Sequence, residues 1–422
     1  MLECILFMTE QKEKFDVIVV GGGASGMMAS GVSAHRGKRV LLLEKNRNLG
    51  EKLKITGGGR CNITNAEYDL RTMLAYYGRA EQFLYSPFSQ FGVKDTFDFF
   101  EKKGLPCVVQ ARKRAFPNTE KALDVFKVLE KYMKDGGVSI HTNSPVTKIL
   151  KEKNKIIGVQ CGKIIYSADS YILATGGMSH PETGSTGDGF KWLADIGHKV
   201  KSPTPTIVPL AVKDTWVKSL AGVSLSFMKI TFYVDGVKKF SKTGKILFTH
   251  FGLSGPLILN LAGRVADLLQ EGNVTVKIDT YPDTNEKDLE KKIIKVFDDN
   301  KNKMFKNVLD KIVPHGLTLA ILTLLKSLDP DTKIHSIKKE ERKKIIAILK
   351  GLPATIVGLM GYDRAVVADG GVDLTEIDTK TMRSKIYDNL FITGDLLHIN
   401  RPTGGQSLQV CWTTGYVAGI NA

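Results

Sequence analysis

Residues 15–44 read FDVIVVGGGASGMMASGVSAHRGKRVLLLE. An apolar run over 15–20, a glycine turn, a stretch of small residues and a second apolar run over 39–44 spell strand, turn, helix and strand, which is one βαβ unit. Gly21, Gly23 and Gly26 stand in G-x-G-x-x-G spacing directly after the strand, with Ala24 and Ser25 opening the helix between them. Gly21 permits a tight turn, Gly23 lets the backbone approach a pyrophosphate, and Gly26 lets the helix pack closely on the sheet. The phosphates then meet unpaired N–H groups and the positive end of the helix dipole. Glu44 ends the second strand 18 residues after Gly26. A carboxylate there accepts hydrogen bonds from both ribose hydroxyls of an adenosine and repels a 2′-phosphate, so the unit points to FAD or NAD rather than NADP.

Two later segments favour FAD. Residues 389–395, NLFITGD, form an apolar strand ending in Gly394-Asp395. They resemble the second fingerprint of FAD-binding Rossmann proteins, in which an acid bonds the ribityl hydroxyls and the following helix N-terminus faces the flavin. Residues 171–177, YILATGG, contain Ala174, Thr175 and Gly176 and resemble the turn that returns the chain to the cofactor in the same superfamily. Between these lies ITGGGRCN, residues 55–62. Gly57, Gly58 and Gly59 offer flexible backbone donors, with Arg60, Cys61 and Asn62 beside them, suited to the pyrophosphate or the edge of the flavin ring. TGSTGDG, residues 183–189, is a further turn.

The chain has 422 residues, 42% hydrophobic and 25% charged, with 41 glycines. That composition belongs to a globular protein of two or three domains and excludes a disordered chain or a small disulfide scaffold. Further strands are expected around 138–141, 156–161 and 171–174, with a helix around 123–134. After Pro203-Thr204-Pro205 the texture changes to alternating strands (228–234, 274–278), followed by a lysine-rich helical stretch over 288–350. Strand, glycine turn and helix return at 390–393 and from Gly404 onward. The expected organisation is an extension over 1–13, a discontinuous α/β cofactor domain from 14–205 and 352–422, and an insertion over 206–351. Met8 is a candidate initiator within the extension.

Sixty Lys and Arg against 44 Asp and Glu give a formal charge of +16. Such a field attracts anionic ligands, nucleic acid or anionic membranes without specifying a fold. The five cysteines have neither C-x-x-C pairs nor zinc spacing, so no metal site is expected and a reducing cytoplasm suits them. No apolar run approaches the roughly 20 residues of a membrane span.

Five segments together resemble a known family: EKLKITGGGRCNITN (51–65), ATGGMSHPETGSTGDG (174–189), LFTHFGLSGP (247–256), GGVDLTEIDTKTMRSK (370–385) and GDLLHINRPTGGQSLQ (394–409). The pattern is similar to the aminoacetone oxidase-like, or BaiN-like, family of FAD-dependent oxidoreductases, from Phe15 to the C-terminus. The resemblance implies a non-covalent FAD, a two-part Rossmann-like domain of the GR2 type, and an inserted barrel-like plus helical domain. It places Gly21, Gly23, Gly26, Glu44 and Lys45 at the adenosine and pyrophosphate, and Gly57 to Asn62 near the phosphates and flavin. It further implies that the backbone of Val146 meets adenine and that Gly394, Asp395, Gly404, Gly405, Gln406 and Leu408 lie along the ribityl chain and ring. The family pattern has Gly-Glu and a Gly-Gly-Tyr-Asn turn where this chain has Gly394-Asp395 and Gly404-Gly405-Gln406-Ser407. Asp395 keeps the charge with one methylene less reach, while His398, Gln406 and Ser407 alter the reacting face.

Flavin chemistry passes a hydride through the ring nitrogen N5, often with one protein group moving a proton. His250 and His398 are the candidate proton carriers, with Cys61 and Cys411 less suited. No second G-x-G-x-x-G follows a later strand, so NAD(P)H, if used, docks transiently at the flavin. The expected function is an NAD(P)H-linked reductase of a small or enone-type substrate. An amine oxidase using O2 is the alternative, and an RNA-associated flavoprotein is the alternative of another class. The lysine helices show amphipathic spacing with few aromatics for base stacking, so no stable nucleic-acid partner is expected.

Overall fold

The computed structural model describes residues 9–10, 14–365 and 367–422. The candidate start at Met8 lies outside the described residues. Of the 1–13 extension, Thr9–Glu10 form a short strand parallel to Ile164–Tyr166. The chain divides into two units, one of residues 1–204 and 366–422, the other of residues 205–365.

The first unit is built on a five-stranded sheet ordered Leu390–Ile392, Ala168–Leu173, Phe15–Val20, Val40–Leu43, Ser139–His141. All four pairings are parallel. Val17, Ile18, Val19, Leu41 and Leu42 are fully buried, as expected of a parallel sheet covered on both faces. The helix Ala24–His35 follows the first strand, and Ala122–Asp135 precedes the edge strand at 139–141. The C-terminal helix Gln406–Asn421 lies close against Ala24–His35 because Gly415 and Gly419 carry no side chain. A Cβ at these positions would stand 2.5 Å from the Ser25 carbonyl oxygen and 2.7 Å from that of Ala29. Val146–Glu152, Lys155–Cys161 and Ile164–Tyr166 form a separate antiparallel sheet.

The second unit is a closed six-stranded antiparallel barrel, in the order Leu210–Val212, Gly252–Ser254, Val237–Thr249, Ser224–Val234, Val274–Asp279, Leu352–Leu359. Its longer helices are Pro256–Glu271, Glu286–Asp298, Thr318–Leu324 and Lys339–Lys350. The expected helical run over 288–350 is thus broken, with Pro314 and Pro330 among the residues between helices. The expected second boundary at 351/352 is corrected to 365/366. Residues 352–359 pair with both 274–278 and 210–212 and close the barrel, so they cannot belong to the parallel-sheet unit.

Candidate cofactor site

At the end of the first strand, Gly21 adopts φ +105°, and an added Cβ would lie 2.5 Å from the Ala174 carbonyl oxygen. Gly26 is held just as tightly, since its Cβ would overlap the Gly21 carbonyl oxygen. Gly23 behaves differently. Its backbone, φ −82° and ψ −170°, is open to any residue, and a Cβ there would meet nothing within 4 Å. The fold therefore requires glycine at 21 and 26, whereas the space beside Gly23 is room for a ligand at the start of a helix whose first N–H groups are unpaired.

Glu44 is nearly buried. One carboxylate oxygen accepts from the Gly22 N–H at 2.7 Å and the other from the Asn46 N–H at 2.8 Å. These bonds fix the carboxylate and leave each oxygen a lone pair for a hydroxyl. A cavity beside it is lined by Gly21, Glu44, Lys45, Ser144, Val146 and Thr175, which brings five predicted positions from four separate segments together. Lys45 is ion-paired with Asp188 at 2.8 Å and bonds the Thr186 hydroxyl. Burial disfavours the charge on Asp188, but the bonds from Lys45 and Thr186 outweigh it and hold its pKa below the usual value.

The loop at 56–62 places Gly57, Gly58 and Gly59 at φ +57°, +68° and +84°, all exposed. Arg60 stacks 4.4 Å from the centre of the Phe116 ring, pairs with Glu120 and donates to Gln110 at 2.9 Å. Its charge is thereby largely engaged within the protein. Cys61 is buried, and burial pushes its thiol up to about 12. Cys411 is likewise raised to about 12 by burial. Neither is a thiolate at neutral pH.

At the C-terminal segment Gly394 donates its N–H to the Thr414 hydroxyl. Asp395 is gripped from both sides, by Arg401 Nη1 at 2.5 Å on one oxygen and by Lys52 Nζ at 3.3 Å on the other. Burial opposes ionisation of Asp395, but Arg401 and then Lys52 prevail and lower its pKa. Lys52 also donates to Ser179. Gln406 is buried at the first turn of the final helix behind Gly404 and Gly405, and Leu408 is half-buried one turn in.

Sequence reading missed Lys52 and Arg401, although both stand inside the quoted segments. Their roles appear only when positions 52, 395 and 401 meet in space. It also missed His198, whose Nδ1 bonds Glu376 at 2.8 Å and whose Nε2 meets the Ser384 hydroxyl at 3.1 Å. That trio is a buried latch rather than a nucleophile, because the Ser384 oxygen already accepts from the Ile386 and Tyr387 N–H groups.

The two predicted histidines fall in different units. His398 is half-buried in the parallel-sheet unit, with a pKa lowered chiefly by burial and further by the charge of Lys201, against the pull of Asp369 and Asp373. His250 is exposed at the turn between Val237–Thr249 and Gly252–Ser254 of the barrel.

The residues present fit FAD. Gly23 leaves a cradle that a Cβ would fill, and Asn62 Oδ1, Thr175 Oγ1, Gln406 Oε1 and two nitrogens of Arg401 are buried without a partner. Buried polar atoms in that state are rare and costly. A cofactor with donors and acceptors along its length would satisfy them.

The model of the HI0933-like protein Rossmann domain matches residues 15–421. The chain belongs to the HI0933-like Rossmann family. It is 30% identical over 405 residues to a 3-dehydro-bile acid delta(4,6)-reductase of Clostridium scindens, covering 95% of this chain and 97% of that protein. It is 27% identical over 410 residues to a ribosomal RNA dihydrouridine synthase of Haemophilus influenzae, covering 96% and 97% respectively. Among solved structures it resembles a 3-ketosteroid-delta4-(5alpha)-dehydrogenase from Rhodococcus jostii, with a TM-score of 0.52 at 15% identity, covering 98% of this chain and 97% of that one. This last likeness shows the fold alone. With residues 15–421 matched to the family, the HI0933-like chain is an FAD-dependent oxidoreductase. Among the described residues no helix is long and apolar enough to cross a membrane.

Proposed function

We propose that this protein is an NAD(P)H-linked reductase of a carbon–carbon double bond conjugated to a carbonyl. The observation that carries the reading is the end-to-end match to relatives named for one shared chemistry. A delta-4,6 unsaturation beside a 3-keto group is an enone, and the uracil bond saturated in dihydrouridine is conjugated to the ring carbonyl. When bound, FAD supplies a two-electron hydride carrier. The chain supplies the rest. Glu44 holds the adenosine ribose, and the turn from Gly21 to Gly26, with Ala24 and Ser25, takes the phosphates. Gly57 to Asn62, Asp395 and Gly404 to Leu408 line the remainder of the cofactor.

His398 is the proposed proton carrier to the carbon alpha to the carbonyl, being half-buried within the unit that carries the cofactor loops. A second substrate reading, uridine within RNA, is favoured by the charge of +16 together with the dihydrouridine synthase relatives. The four described thiols are free and suit a cytoplasmic setting.

The test is anaerobic reoxidation of the reduced holoenzyme by a steroid enone or a uridine-containing RNA, beside anaerobic mixing of the oxidised holoenzyme with a primary amine followed by admission of air. Reoxidation by the enone or the RNA, with a saturated product, supports the reading. The RNA arm is expected to weaken steeply with salt. Reduction of the flavin by the amine, with turnover only in O2, overturns the reductase reading in favour of an oxidase.

A further inference from the structure

Arg401 is fully buried, yet only Nη1 has a partner; Nε and Nη2 have none. An arginine in this state is expensive, because a desolvated guanidinium needs both a counter-charge and acceptors for its five N–H groups. The counter-charge is shared. Asp395 also faces Lys52, so one carboxylate sits between two cations. The other titratable neighbours, Tyr77 and Cys411, are held neutral by burial, and His398 has a lowered pKa. The cluster therefore carries one positive charge more than it balances, with two donors that have no partner among the described residues.

Two orphaned acceptors lie in the same neighbourhood. Gln406 Oε1 and Asn65 Oδ1 are buried without partners. Asn65 is oriented by its amide, which donates to the Gly404 and Arg112 carbonyls, and the Tyr77 hydroxyl donates to the Gln406 carbonyl. The pyrophosphate of FAD, ionised at both phosphates, offers only acceptors and could not satisfy Gln406 or Asn65. The pyrimidine edge of a flavin carries two carbonyl acceptors flanking one N–H donor, which matches a set of free donors and free acceptors.

We propose that Arg401 is a positioning and charge-stabilising residue for the flavin ring, donating through Nε and Nη2 to its pyrimidine edge and holding the negative charge the ring gains on reduction. The proposal rests on the FAD reading above. Two-electron reduction with uptake of one proton leaves the ring with one added negative charge. The surplus positive charge at Arg401, Asp395 and Lys52 then binds the reduced form more tightly than the oxidised one, which raises the midpoint potential.

The experiment measures the potential of bound FAD by anaerobic dye equilibration, and FAD affinity in both redox states, in the wild type, Arg401→Met and Arg401→Lys. Affinity for reduced FAD is expected to fall at least tenfold more than affinity for oxidised FAD in Arg401→Met. By linkage that is a potential lower by about 30 mV or more. Arg401→Lys restores the charge without the paired donors and is expected to fall between; if Arg401→Met does not fold, the lysine variant alone carries the test. Equal losses in both redox states, or an unchanged potential, overturn the proposal and make Arg401 a plain anchor. Failure of the wild type to bind FAD at all would instead overturn the cofactor reading, a result visible before any variant is compared.

Discussion

Replacing Gly23 and Gly26 separately by alanine distinguishes the needs of the fold from those of the ligand. At Gly26 the new Cβ overlaps the Gly21 carbonyl oxygen and stands 3.2 Å from the Ala174 Cβ, so the helix must lift from the turn. Overpacking of this kind costs about 1–3 kcal/mol or more, a fall of several degrees in Tm. At Gly23 the Cβ enters open space from a backbone conformation alanine adopts freely. The apoprotein should be as stable as wild type, or about 0.4–1 kcal/mol more stable through the stiffer unfolded chain. FAD binding should suffer, because the methyl group keeps phosphate oxygens from the backbone donors. Each charge-assisted bond lost is worth about 1.5–3 kcal/mol, or roughly ten- to a hundredfold in affinity. Thermal unfolding of the apoproteins and flavin fluorescence titration read the two effects independently. Normal FAD affinity in Gly23→Ala, or an apoprotein as unstable as Gly26→Ala, would refute the placement of the phosphates.

Two further outcomes follow from the histidines. If His398 gives the proton, its lowered pKa sets a descending limb, with turnover falling as pH rises through a value below the ordinary 6.5. His398→Ala should lose that limb and about two orders of magnitude or more in rate while still binding FAD. His250→Ala should keep it, and a profile unchanged in His398→Ala would return that residue to a packing role. His198 is neutral in the fold because burial lowers its pKa despite Glu376. The unfolded chain therefore takes up the proton first, and stability is lost as pH falls below about 6.5, by at most roughly 1.4 kcal/mol per pH unit. Denaturant unfolding of the apoprotein at pH 7.5 and 5.5 should show a slope that His198→Gln reduces; an equal slope in both proteins would place the titration elsewhere.

The first βαβ unit was legible because its signals are local: strand, turn glycines, helix and closing acid lie within 30 residues of one another. Residues 352–359, which the sequence reading placed in the cofactor domain without picking out a strand, bury Leu352, Ala354 and Ile356 as alternate positions of one. Nothing local says which sheet it joins, and only pairing with 274–278 and 210–212 assigns it to the barrel. The same holds for the charged cluster. Asp395 was found from its strand-end position, whereas Lys52, 343 residues away in sequence, is recognisable only through the fold. Arg60 shows the converse, since its place beside three glycines suggested a phosphate anchor, and the later strand and loop that bring Phe116 and Glu120 to it were not visible from that motif.

The most direct test of the central claim is an anaerobic titration of the FAD-loaded protein with NADH and then NADPH, following the oxidised flavin band near roughly 450 nm. Bleaching by one of the nucleotides, with colour restored by an enone or uridine-containing acceptor, is the result the account predicts. A flavin that stays yellow with both nucleotides and bleaches only with an organic donor would contradict it.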